Sequence, residues 1–274
     1  CIIFSALNLV VAYLDNLFWS TPKAETWISL LILLNWHASI KFLAPFIDIF
    51  YRGNEFTDPI NGKSYRKFLP YGYVKQRNNA LSPGTLSLER HRLLWLYLNN
   101  ETNFFSKTLK VLHIAPEQCF YNLFKNLKNI NYTTFDLNSP LADIKGDICN
   151  LPFKGNSFDF ILCNHVLEHI NDDKKAMKEL YRVLNKNGTA ILQVPINQKS
   201  SKTFEDSSIV DKKERIEKFG QYDHIRLYGL DYFKKLESFG FKVDPLKYSK
   251  EFTESEIIKY GLLKDEIIPV CKKG

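Results

Sequence analysis

No CxxC pair occurs among the five cysteines, Cys1, Cys119, Cys149, Cys163 and Cys271, which stand far apart along 274 residues. Three of them fall in segments that read as a sheet and its loops. The pattern excludes a disulfide framework and reads as reduced, intracellular thiols. There is no internal repeat and no low-complexity tract, which sets aside stacked-repeat architectures. Neither sign of charge dominates, because 37 basic residues against 30 acidic ones leave a moderate +7. With 45% hydrophobic and 14% aromatic residues, global disorder is excluded as well. The chain does not open on methionine. Its apolar start lacks a small-residue cleavage site, so a cleaved signal peptide is not expected. Ile2, Ile3 and Phe4 give no support to a lipoprotein cysteine at Cys1.

What is present begins with two apolar runs within residues 1–50, Cys1–Trp19 and Trp27–Phe50, joined by a short polar loop holding Pro22, Lys23 and Glu25. A membrane span needs about 20 apolar residues. Each run approaches that length, but Asp15, Asn35, His37, Lys41 and Asp48 interrupt them. They read as apolar helical segments and a candidate membrane anchor, spanning or interfacial. A helical cap packed on the following domain is the alternative. Residues 51–86 read as a basic and aromatic connector, in which Arg52, Lys63, Arg66, Lys67, Lys75 and Arg77 alternate with Tyr51, Phe56, Tyr65, Phe68, Tyr71 and Tyr73. Basic residues directly after an apolar segment suit anionic lipid headgroups, so residues 1–77 are the expected membrane surface. The same mixture could stack on nucleic acid, which ranks last; nucleic acid is not an expected partner.

Ser87–Leu98 reads as a helix, with Ser87 as N-cap and Leu88, His91, Leu94, Trp95 and Leu98 as its apolar stripe. His91 on that stripe reads as a core histidine. Short apolar runs then alternate with amphipathic stretches, which predicts strands near 110–114, 131–135, 144–147, 158–163 and 189–194. Between them, Phe120, Leu123, Phe124 and Leu127 share one helical face, as do Met177, Leu180, Tyr181 and Leu184 in a helix stopped by Asn187-Gly188. Residues 197–221 are polar and charged, a candidate lid containing a surface helix at 211–219. A helix at 230–239 capped by Gly240, strands at 241–247 and 266–271 and a helix at 253–260 complete the chain. Strand–helix–strand repeats at this spacing imply an α/β fold, a doubly wound, mostly parallel sheet. Asp136, Asp147 and Asn164 each end or follow a strand, so they are expected at the one edge where such sheets bind ligands.

Asp136 after the second strand, GDICNLPF with Asp147, FDFILCNHVLEHI and ELYRVLNKNGTAILQVP together resemble a class I S-adenosylmethionine-dependent methyltransferase of the type 11 group, from about Thr108 to the C-terminus. The resemblance implies a seven-stranded Rossmann-like sheet over residues 87–274, with S-adenosylmethionine as cofactor. It implies that Asp136, with Leu137 beside it, receives the ribose hydroxyls. Asp147 and Ile148 would hold the adenine, and Asn164 and His165 would line the methionine side. The loop after the first strand, Ala115, Pro116 and Glu117, completes the expected cofactor contacts. The family's first strand ends in an acid and a glycine-rich loop, whereas here it reads His113-Ile114-Ala115-Pro116-Glu117-Gln118-Cys119, without glycine. Glycine allows close backbone approach and unusual φ, so Pro116 and Glu117 imply a different loop path, with Glu117 positioned to meet the cofactor's ammonium.

Methyl transfer from a sulfonium requires mainly alignment and exclusion of water. A general base is needed only where the acceptor must lose a proton, and the residues available are His165, His169 and His224. The expected acceptor is a small or lipid-like molecule, and the expected location is the cytoplasm, at the inner face of the membrane. Two other readings remain. His165-Val166-Leu167-Glu168-His169 matches the H-x-x-E-H pattern of a zinc peptidase, which would need a longer helix and a third ligand such as Glu179. No metal is expected at these residues. A non-catalytic, membrane-tethered module on a degenerate cofactor fold is the other reading, and the missing glycines are its support.

Overall fold

The computed structural model describes residues 49–72 and 76–274. The apolar runs of residues 1–48, and with them the anchor-or-cap question, lie outside the described residues. Among the described residues no helix is long and apolar enough to cross a membrane.

Residues 51–86 hold two short antiparallel pairs. β1 (Arg52–Thr57) pairs with β2 (Ser64–Tyr65), and β3 (Leu69–Tyr71) with β4 (Arg77–Leu81). Tyr51, Tyr65, Phe68, Leu69, Tyr71, Ala80 and Leu81 bury a small core of their own, joined by Leu88. Arg92, from the helix α1 (Glu89–Glu101), ties it to the rest of the chain. Its fully buried guanidinium donates to the carbonyls of Ala80, Ser87, Tyr260 and Gly261 and lies over the Phe68 ring. Ser87 is not the N-cap of α1, because its hydroxyl donates to Asp58 instead. Leu88 occupies the cap, and the His91 ring accepts the Leu88 N–H.

The large sheet follows: β5 (Leu109–Ile114), α2 (Gln118–Lys125), β6 (Ile130–Asp136), β7 (Ile144–Lys145), β8 (Phe158–Cys163), α3 (Asp173–Val183), β9 (Leu184–Ile191). A short pair, β10 (Phe204–Glu205) with β11 (Arg226–Leu227), flanks α4 (Lys212–Phe219). The chain ends with α5 (Asp231–Glu237), β12 (Phe241–Leu246), α6 (Glu254–Tyr260) and β13 (Ile268–Lys273). Seven strands lie in the order β12-β13-β9-β8-β5-β6-β7, parallel except for β13.

Alternation along the central strands explains the two layers. Phe160 and Leu162 of β8 face a core built with α1, α2 and α6, while Ile161 and Cys163 face one built with α3 and α5. Both faces are thus buried, which is why these strands read as unbroken apolar runs. The four cysteines of the described residues are buried free thiols.

Several boundaries differ from the sequence pattern. The strand expected at 144–147 is only Ile144–Lys145, because Asp147 caps a 3-10 turn, Ile148–Asn150, by accepting the Cys149 N–H. The helix expected to stop at Asn187-Gly188 ends at Val183, where Leu184 enters β9 directly. Gly240 does not cap α5, whose cap is Ser238; Gly240 takes φ +101 two residues on, in the turn to β12. The polar stretch after Pro195 is tied down at both ends, by the β10–β11 pair and by a bridge between Ile196 and Tyr228.

Candidate active site

Strand register assembles the site's rim. Ile114 at the end of β5 pairs with Phe135 of β6 on one side and Cys163 of β8 on the other. Ala115, Asp136 and Asn164 therefore leave the sheet side by side at its carboxyl edge. On the far side Asp136 pairs with Lys145, and Asp147 follows two residues later. Gly146 sits tightly in between, since a Cβ there would stand 2.9 Å from the Phe135 ring and force that ring to shift.

Each acidic side chain is held with one oxygen spoken for. Asp136 Oδ1 accepts the N–H groups of Asn138 and Ser139 at 2.7 and 2.6 Å, and Asp147 Oδ1 accepts that of Cys149 at 2.8 Å. The other oxygen of each makes no hydrogen bond among the described residues. Leu137, 62% exposed, lays an apolar side chain beside Asp136, and Ile148 is buried beneath.

The loop without glycine keeps a glycine-like conformation. Ala115 takes φ +49, at a cost of about 1 kcal/mol for a residue with a Cβ. Pro116 is buried, and the Glu117 carboxylate turns inward. Its Oε2 accepts from His113 Nε2 at 2.6 Å and from Asn164 Nδ2 at 3.4 Å, while His91 Nε2 lies 3.6 Å from Oε1. His113 is buried in β5 and meets the Tyr132 hydroxyl through Nδ1 at 2.7 Å. A buried histidine thus stands in the strand, and Glu117 reaches back to supply the negative charge.

Burial alone would raise the Glu117 carboxyl, but the His113 hydrogen bond and the charges of His113, His91 and Arg90 hold it at about 2. Burial, then the Arg90 charge, lower His91 well below its ordinary value. Both shifts oppose acid. His91 favours folding above its unfolded pKa of about 6.5 and loses that contribution as pH falls toward its lowered folded value. Glu117 contributes above about 4.5, its unfolded value, and loses that as pH falls toward about 2. Urea denaturation is therefore expected to give lower stability near pH 5.5 than near pH 7.5, with a further loss below pH 4. Substituting His91 with glutamine should flatten the first of these losses.

His165 follows Asn164 with φ +55, a strained conformation of the sort that concentrates at working sites. It lines a cavity of about 330 Å³ with Arg77, Glu89, Arg90, Gln198 and Glu266. The Arg90 and Glu266 contributions had no signal in the sequence. Neither lies in a recognisable motif, and only the packing of α1 against the 263–267 loop brings them together. Burial raises the Glu266 carboxyl to about 7, opposed by the Arg90 charge. Two buried atoms at this rim have no hydrogen-bond partner, Asn164 Oδ1 and His165 Nε2.

His169 and His224 do not line that cavity. Their rings meet edge to face at 4.7 Å behind it, beside Glu168. The His165–His169 segment is not an α-helix but a 3-10 turn, Leu167–His169. Glu179 stands apart from it, bound by Arg182 and the Leu151 N–H.

The strand order, the one antiparallel strand next to the edge and the polar rim define a Rossmann-like methyltransferase fold. Residues 111–192 match the family model described as a methyltransferase domain. Over 109 residues the chain is 38% identical to an uncharacterized protein of Methanocaldococcus jannaschii, covering 36% of this chain and 47% of that one. Over 48 residues it is 40% identical to demethylmenaquinone methyltransferase of Staphylococcus epidermidis, covering 18% and 20%. The chain thus spans about half or less of the length of these curated relatives. A solved structure of a putative methyltransferase from Bacillus halodurans aligns at TM-score 0.41 and 18% identity, covering 66% of this chain and 92% of that one. The matched segment is similar to methyltransferase domains.

Proposed function

We propose that this chain transfers a methyl group from S-adenosylmethionine to a small or lipid-like acceptor seated in the cavity beside His165. The observation that carries the reading is the rim itself. Two half-engaged carboxylates, an exposed apolar side chain and an orphaned buried amide oxygen succeed one another along one sheet edge. These residues fit the cofactor. Asp136 would take the ribose hydroxyls through its second oxygen, Leu137 and Ile148 would flank the base, and Asp147 would receive its amino group. The Glu117 side chain is turned inward and already bonded, so the orphaned Asn164 Oδ1 is the better acceptor for the cofactor's ammonium. When bound, the cofactor supplies an activated methyl group on a sulfonium.

The chain's own residues then position the acceptor and handle its proton. Burial, with the Arg90 charge, lowers His165, so its ring is neutral near pH 7. Its Nδ1 lies 3.2 Å from the buried Glu168 carboxylate, and Nε2, which has no hydrogen-bond partner, is the atom placed to accept a proton. Substitution of His165 by glutamine is expected to lower turnover at least about 100-fold for an acceptor that must lose a proton, measured with labelled donor.

The direct test is calorimetric titration of the chain with S-adenosylhomocysteine. A one-to-one isotherm supports the reading, and no binding at millimolar ligand overturns it in favour of a degenerate module. A lipid-like acceptor draws support from Ile49 and Phe50, 61% and 67% exposed and followed by Arg52. Removal of residues 1–50 is then expected to shift the chain from the membrane fraction to the supernatant on ultracentrifugation.

A further inference from the structure

Glu168 is fully buried, yet neither carboxylate oxygen has a hydrogen-bond partner. Its neighbours are histidines. His165 Nδ1 lies 3.2 Å away without hydrogen-bond geometry, and His224 Nε2 lies 3.9 Å from the same oxygen. Two of these rings are fixed from behind. His224 Nδ1 donates to the Phe219 carbonyl at 3.0 Å, and His169 Nδ1 donates to the Asp223 carbonyl at 3.2 Å. A neutral imidazole that donates through Nδ1 carries a bare lone pair on Nε2. Backbone carbonyls thus set both rings in the tautomer that metal-ligating histidines adopt.

One ligand atom from each of Glu168, His169 and His224 falls within 4.8 Å of the other two. A carboxylate and imidazole lone pairs gathered without a donor repel one another, the more so because Glu168 is fully buried. A cation among them turns that repulsion into coordination. We infer that Glu168, His169 and His224 bind a divalent first-row transition-metal ion, Zn²⁺ above all. Two imidazoles and one carboxylate suit zinc, whereas calcium and magnesium call for more oxygen ligands than this cluster offers.

Sequence spacing could not assemble this site. Glu168 and His169 belong to the H-x-x-E-H run, but the third ligand comes from 55 residues further on. It is held in place by the Ile225 N–H donating to the Glu168 carbonyl at 3.1 Å. The ion would therefore cross-link the loop after β8 to the 221–225 turn, behind the cavity lined by His165.

The test needs neither methyl donor nor acceptor, so its outcome is separable from that of the methyl-transfer reading. The full chain, stripped with a chelator and titrated with Co²⁺, is expected to bind one ion per chain. The visible ligand-field bands should be those of a four- or five-coordinate nitrogen–oxygen site, and Zn²⁺ should abolish them. His224→Gln and His169→Gln, each checked for folding by circular dichroism, should weaken Co²⁺ binding at least about 10–100-fold. Glu168→Gln preserves shape and removes the charge, and should do the same. A folded wild-type chain that binds neither Co²⁺ nor Zn²⁺ at millimolar concentration overturns the site. Thiolate charge-transfer absorption, or bands that persist in the histidine variants, overturns it too.

Discussion

Replacing Asp136 with alanine is expected to weaken binding of S-adenosylhomocysteine about 10–100-fold, the scale of losing a charge-assisted hydrogen-bond acceptor. The side chain is prepared for that role before any ligand arrives. With Oδ1 fixed by the Asn138 and Ser139 N–H groups, Oδ2 has a set direction at the end of β6. A pair of ribose hydroxyls would meet it without further ordering of the chain, which is where preorganised sites gain affinity. Alanine also removes the two bonds to the turn, so part of its effect would come from loosening residues 137–139. Asparagine separates the two contributions. It retains an oxygen for the turn and converts the outward-facing carboxylate oxygen to a donor, so it should lose most of the ligand affinity while preserving stability. Calorimetry and chemical denaturation of both variants measure this. If asparagine binds as tightly as aspartate, the ribose assignment to Asp136 falls.

The parts of this site that were legible in the sequence are those set by local order. Asp136, Asp147 and Asn164 each stand at the end of an apolar run, and parallel pairing brings such ends to one edge regardless of the connecting loops. The sheet could be read for a related reason. Its central strands are buried on both faces, so their apolar runs are unbroken, and β12 and β13 flank a helix bounded by Thr253 and Gly261. Competition between partners accounts for what was missed. Ser87 has the composition of an N-cap, but the buried Asp58 carboxylate takes its hydroxyl, and Leu88 takes the cap position with its N–H donating to the His91 ring. Glu117 appeared free to meet a ligand; in the fold, His113 and Asn164 hold it. His113 itself gives no sign of its role, because a histidine in an apolar strand reads as an interruption until Tyr132 and Glu117 are placed around it. Arg90 and Glu266 reach the site by packing alone, over sequence separations for which local patterns carry no information.

Substitution of Arg226 by methionine is expected to cost about 3–5 kcal/mol of stability, the scale for removing one partner of a buried charged network. The guanidinium is 1% exposed and fully engaged. It donates to the carbonyls of Leu167, Ile170 and Asn171, and to Glu205 through both Nε and Nη2. Those three carbonyls belong to the turn that presents His165, Glu168 and His169, so a single side chain fastens the base of the site to β11. Nearby, Asp173 accepts the Tyr228 hydroxyl at 2.6 Å and pairs with Lys235. Removing the arginine would take its donors from the Ile170 and Asn171 carbonyls, leave Glu205 unpaired and cut the cross-link between the loop after β8 and the 204–227 segment. Methionine matches the apolar stem, so the loss would report on polar fastening and not on a cavity. Lysine should recover only a fraction, since one ammonium cannot span the fork of acceptors that a planar guanidinium satisfies. Urea denaturation of the three proteins gives the stability order, expected as arginine, then lysine, then methionine. Hydrogen exchange at the amides of residues 165–171 should rise in the same order, while exchange in β5 and β6 changes little. A methionine variant as stable as the parent would show that the turn holds its shape without this clamp.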